Sequence, residues 1–108
     1  MSDAEEKLQE EEGSEPATPL PPPTFEWLTL SLRLQAEMHL GLLAAGDDKE
    51  RPKPNFQAAR HTIDLMAMLQ EKTRGNLTLE EQRLLDNSVT ELRFRYVQAL
   101  EASRKQQG

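Results

Sequence analysis

His61 and Asp64 stand one helical turn apart, a spacing at which an imidazole and a carboxylate can close on one metal ion. Two ligands are too few for such a site, and no H-E-x-x-H pair of histidines exists, so an exposed polar helix face explains both residues. The other histidine, His39, lies at the edge of a leucine stripe, where a core or interface histidine is the simpler account. Glu80 and Glu81 are paired acids, yet they suit the positive N-terminus of a helix without any acid–base role. The sequence has no Gly-rich phosphate loop, no nucleophile elbow and no convincing paired-carboxylate pocket. The expectation is therefore a protein that is not an enzyme, with no catalytic residue, no metal site and no cofactor.

The one basic-aromatic cluster is "RFRY", Arg93 to Tyr96. Arg93, Phe94 and Arg95 could touch RNA by stacking and phosphate pairing, which makes a regulatory RNA- or nucleoprotein-associated factor the alternative reading. Glu91 and Glu101 nearby favour an ordinary salt-bridged helix face instead. The overall charge gives the RNA reading no help. Of the formal −6, all belongs to residues 1–15, where Asp3, Glu5, Glu6, Glu10, Glu11, Glu12 and Glu15 face only Lys7. The remainder holds twelve acids and twelve bases, without the basic excess of a nucleic-acid binder.

The elements that would carry these residues can be read from the same 108 residues, which have room for one domain at most. Cysteine is absent, so disulfides and thiolate metal sites are excluded. The start, "MSDAEEKLQEEE", lacks the basic and apolar regions of a secretory signal, and no apolar run approaches the ~18 residues of a spanning helix. A cytoplasmic protein without a membrane segment is expected, and "NLT" at Asn76–Thr78 is then a chance glycosylation match. Residues 1–23 join the acidic run to "SEPATPLPPP", a composition that cannot offset ordering entropy, and are expected to form a disordered acidic, proline-rich tail. Residues 24–108 are expected to form a single small helical domain.

Three helices are predicted, over about residues 25–44, 56–74 and 79–104, giving an all-α fold. Asn55 is a good N-cap for the second, and Gly75 follows it where a C′ glycine would end it. Thr78 and Glu81 form a T-x-x-E capping box opening the third. The short connection makes the last two an antiparallel hairpin, whereas "GDDKERPKP" couples the first helix more loosely. In the second helix Phe56, Ala59, Ile63, Leu65, Met66, Ala67 and Leu69 share a broad apolar side, opposite Gln57, Arg60, His61, Asp64, Glu71 and Lys72. In the third, Leu85, Val89, Leu92, Tyr96, Ala99 and Leu100 follow four-three spacing, and Phe94 points nearly the other way.

The first helix is the informative one. "LTLSLRLQAEMHLGLL" alternates like a strand from Leu28 to Leu42. A strand of that length would extend about 50 Å without a turn signal, and its Leu, Met, Ala, Gln, Glu and Arg are helix formers. Wound as a helix, the alternation resolves into two stripes. Leu28, Leu32, Ala36 and Leu40, with Phe25 and Leu43, form one; Leu30, Leu34, Met38 and Leu42, with Trp27, form the other, about 160° away. Arg33 and Glu37 divide them on one flank and Gln35 on the other. Apolarity on opposite sides implies two neighbours. The hairpin can supply one, and the other must come from another molecule unless the hairpin embraces both stripes. The expected interface is thus Trp27, Leu30, Leu34, Met38 and Leu42, with Phe94 assisting. The expected partner is a second copy in a dimer or higher oligomer, with another protein as the other option and nucleic acid disfavoured.

"LRLQAEMHLG", then a proline-bearing loop, then "ARHTIDLMAMLQEKTRGNLTLEEQRLLDNSVTELRFRYVQA" together resemble the bacterial family called domain of unknown function 1844. The likeness spans about residues 25–100, and its most specific parts are Thr62–Thr78 and Glu91–Val97. It implies a small soluble bacterial protein, all-helical, with a variable and poorly ordered N-terminal region. It carries over no activity and no functional residue; the oligomer argument comes from the stripes alone.

Overall fold

The computed structural model describes residues 19–43 and 53–107, and its elements are three α-helices: α1 (Phe25–His39), α2 (Phe56–Lys72) and α3 (Leu79–Gln107). No strand occurs among the described residues. Residues 1–18 of the expected tail, and most of the charged loop before α2, lie outside them.

Each helix begins on a capping side chain. Thr24, in an extended conformation, accepts the Trp27 N–H on Oγ1 at 3.1 Å, and Glu26 in the first turn complements the helix dipole. Asn55 accepts the Ala58 N–H on Oδ1 at 3.1 Å. Thr78 and Glu81 close the reciprocal box foreseen for α3: the Thr78 N–H donates to Glu81 Oε1 at 2.8 Å, and the Glu81 N–H donates to Thr78 Oγ1 at 3.1 Å.

Helix α1 stops at His39, short of the expected 44, and the cause is Gly41. Its φ of 76° takes the chain into the left-handed region. There the Leu42 N–H reaches the Glu37 carbonyl and the Gly41 N–H reaches that of Met38, both at 3.0 Å. This is a Schellman termination, which leaves Leu42 just past the helix instead of on it. The chain after Lys72 turns in the expected place, with Gly75 at φ 83°.

Helices α2 and α3 pack antiparallel as a hairpin. Gln70 Nε2 donates to Asp86 Oδ1 at 2.8 Å near the turn, and at the far end the rings of Phe56 and Tyr96 meet edge-to-face with centroids 5.8 Å apart. Helix α1 lies against both. The Asn55 N–H donates to the His39 carbonyl at 2.7 Å, so the start of α2 is pinned to the end of α1 and the two run antiparallel.

The core consists of Ala36, Ile63, Met66, Leu85, Val89 and Leu92, with Phe25, Leu32, Leu69, Leu77 and Tyr96 packed around it. Small side chains let the backbones approach: Thr29, Ala36, Ala59, Thr62 and Ser88 are all buried. Thr29 and Thr62 are buried without an unmet hydroxyl, since each donates to the carbonyl four residues earlier (Phe25 at 3.0 Å, Ala58 at 3.1 Å). This close packing corrects two expectations. The buried row of α1 passes through Thr29 and not Leu28, which is 44% exposed. Leu65 falls at the margin of α2's buried side, exposed with Met68 beside it. A small residue at the point of closest approach displaces the bulkier neighbour to the rim.

Candidate functional site

The hairpin covers the first stripe of α1 through Phe25, Leu32, Ala36 and Leu40, and leaves the second uncovered. Trp27, Leu30, Leu34, Met38 and Leu42 are all exposed, between 37% and 59%. A shallow trough runs along this face, lined by Trp27, Leu30, Ser31, Arg33, Leu34 and Glu37. Ser31 points its hydroxyl back to the Trp27 carbonyl at 2.9 Å, which removes its donor from the surface. Apart from Arg33 and Glu37 at its edge and the indole N–H of Trp27, the trough is therefore lined by side chains with no free donor.

On the α3 side the face ends at an ion-pair network. Arg33 Nη2 sits 2.7 Å from Glu91 Oε2, Arg95 Nη2 sits 2.9 Å from Glu91 Oε1, and Arg33 Nε lies 3.7 Å from Glu37. These groups are partly exposed, between 17% and 39%. A charge-assisted, multiply bonded carboxylate of this kind fixes geometry more than it adds stability. Phe94 stands on the outer side of α3, 63% exposed, across this network from the α1 stripe. The structure thus brings Trp27, Leu30, Leu34 and Met38 to one side of α1, carries Leu42 past the helix end beyond Gly41, and sets Phe94 apart from them.

"RFRY" disperses when wound into α3. Arg95 turns toward α1 to bond Glu91 through both Nε (3.2 Å) and Nη2 (2.9 Å). Tyr96 packs on Phe56 and the core, while Arg93 and Phe94 are exposed. Consecutive helical residues lie about 100° apart, so the four side chains share no face.

His61 lines a shallow, open depression with Asn55, Gln57 and Ala58, and Asp64 reaches toward Arg60 at 4.0 Å. Among the described residues no group of three or more histidine, aspartate and glutamate side chains is placed to hold a metal ion. Nor is any helix among them long and apolar enough to cross a membrane. Leu28, Leu43, Leu65, Met68, Leu79 and Val97 are exposed apolar residues outside the predicted interface. For Met68 the signal was present in the angles, because it lies opposite the buried Ala59 on the α2 wheel.

A family model described as Domain of unknown function (DUF1844) matches residues 22–98, which covers all of α1 and α2 and most of α3. Comparison with curated proteins and with solved structures returned no match for the chain.

Proposed function

The chain belongs to the DUF1844 family, and we propose that it is a small helical interaction module that acts by self-association and not by catalysis. One observation supports this above the rest: four large apolar side chains on one side of α1, Trp27, Leu30, Leu34 and Met38, are left exposed after the hairpin has packed, as is Leu42 just past the helix end. An exposed apolar patch that extends along a whole helix marks a contact surface, and scattered single residues do not. The driving force is burial. Each leucine of the stripe, fully covered, contributes about 1.5–3 kcal/mol, so a few of them suffice to offset the entropy of association.

A second copy is the partner we favour, because small helical units commonly complete their cores by pairing with themselves. The alternative, an RNA contact through Arg93, Phe94 and Arg95, is weakened by the commitment of Arg95 to Glu91. It would leave Arg93 to pair with phosphate nearly alone.

The test is Leu34→Asp, which places a carboxylate in the middle of the stripe without touching the core. The expected result is loss of the oligomer with helix content retained by circular dichroism. An unchanged mass for Leu34→Asp would overturn the proposal.

A further inference from the structure

We infer that the outer face of α3 is a second, separate self-contact, in which two copies cross antiparallel at Val97 and each Arg93 meets the partner's Glu101. The inference goes beyond the α1 reading and uses none of its residues.

Leu85, Val89 and Leu92 of α3 are buried against the other two helices, whereas Phe94 and Val97, turned away from them, are 63% and 51% exposed. The two lie one turn apart and form one apolar spot. Charge frames that spot symmetrically. Arg93 stands four residues before Val97 and Glu101 four residues after it, and both are exposed. Residues four apart form one ridge along a helix, so Arg93, Val97 and Glu101 make a single row with a cation at one end and an anion at the other. The row cannot satisfy itself, because its two charges are about 12 Å apart along the axis. Among the described residues neither Arg93 nor Glu101 forms an ion pair, the carboxylate shared by Arg33 and Arg95 being Glu91. The residues one turn from Arg93 on α3 are Val89, Thr90, Tyr96 and Val97, and none is a carboxylate.

Charge complementarity selects both the occupant and its direction. Helices most often cross with their four-residue ridges side by side. Turned antiparallel about a two-fold axis at Val97, the row of one copy lies along the same row of the other. Arg93 then stands level with the partner's Glu101, and the pairing is made twice. A parallel pair instead sets like charges together at both ends of the row. The same register keeps the other cations of the face out of conflict. Arg104 comes level with the partner's Thr90, Lys105 with the partner's Val89, and Arg83 falls beyond the end of the partner's α3. Phe94 comes level with the partner's Leu100, which gives its ring apolar cover. A nucleic acid or an acidic peptide on this row would set its own negative charge against Glu101. Two helices that touch over a few turns cover less than the roughly 800 Å² per copy of a standard interface. The contact is therefore weak alone and fills only above the concentrations at which α1 pairs the chain.

The experiment reads disulfide formation in the full chain, which has no native cysteine. Val97→Cys puts a thiol on the two-fold axis, and Arg83→Cys puts one on the same face beyond the partner's reach. Under mild oxidation at high micromolar concentration, Val97→Cys is expected to form disulfide dimers roughly tenfold faster than Arg83→Cys. Added to Val97→Cys, Arg93→Glu or Glu101→Arg alone should cut that rate roughly tenfold, since each sets like charges together. An equimolar mixture of those two chains should restore the rate and yield mixed dimers, because each supplies the charge that the other lacks. No restoration in the mixture overturns the inference, and so do equal rates for Val97→Cys and Arg83→Cys. The same pattern is expected when every chain also carries Leu34→Asp, and its loss there would overturn the separateness of the two contacts. A failure of the charge-reversal mixture leaves the α1 reading standing, and an unchanged mass for Leu34→Asp alone leaves this contact standing.

Discussion

Arg33 on α1 and Glu91 on α3 are joined at 2.7 Å, and this bond is a side-chain tie between the first helix and the hairpin. Arg33 lies on the flank that divides the two stripes, so the bond fixes which stripe faces inward. If α1 rolled to bury Leu34, Arg33 would leave its carboxylate. The packing of Thr29 and Ala36 supports the same orientation, since the exposed leucines are too large for that close approach.

Because both partners are partly exposed, the stabilisation is modest. A double-mutant cycle with Arg33→Ala and Glu91→Ala should give a coupling energy of about 0.5–1 kcal/mol in urea unfolding. Coupling above about 3 kcal/mol would mean the pair behaves as a buried bridge, contrary to its exposure.

Ser88 gives a prediction of opposite sign. Its side chain is fully buried and its Oγ has no hydrogen-bond partner. Replacing it with alanine removes an unmet polar group and adds helix propensity, so Ser88→Ala should stabilise the fold by about 1 kcal/mol. A clear loss of stability in thermal unfolding would show that the hydroxyl is satisfied in solution.

The turn between α2 and α3 depends on Gly75, whose φ is 83° with open space where a Cβ would sit. Gly75→Ala therefore meets no clash and costs only backbone strain, about 1–2 kcal/mol. In a domain this small that corresponds to a fall in Tm of roughly 4–8 °C per kcal/mol. The full effect should appear without any change in assembly.

Met66 is the largest side chain sealed from solvent. Met66→Ala should cost about 2–5 kcal/mol, most of the stability of a domain this size, and its unfolding midpoint in urea should drop accordingly. Leu34→Ala, by contrast, removes no core contact and should leave the unfolding of dilute protein nearly unchanged.

The local chemistry of the chain was readable from residue types. Asn55, Gly75 and the Thr78–Glu81 box mark helix ends because capping depends on residues close in sequence. The two-sided nature of α1 was also readable, since angular spacing follows from helix geometry alone. Two things were not. Gly41, embedded in "HLGLL", lay inside an apolar run, and alternation outweighed the signal of a single glycine. The burial of Thr29 in place of Leu28 depends on how closely two backbones pass, which is a property of the assembled bundle. The exposure of Leu65 at the margin of α2 depends on the same packing, whereas Met68, opposite Ala59 on the α2 wheel, and Phe94, opposite the α3 seam, follow from angular spacing alone.

The account turns on whether the exposed side of α1 is covered in solution. The mass of the unmodified full chain, followed from nanomolar to high micromolar concentration by sedimentation equilibrium, tests this directly. Trp27, the one tryptophan, should report the same event by a fluorescence blue shift on assembly. The account predicts a dimer or higher oligomer at micromolar concentration, with Trp27 becoming shielded over the same range. A monomer at those concentrations, with Trp27 equally exposed throughout, would contradict it.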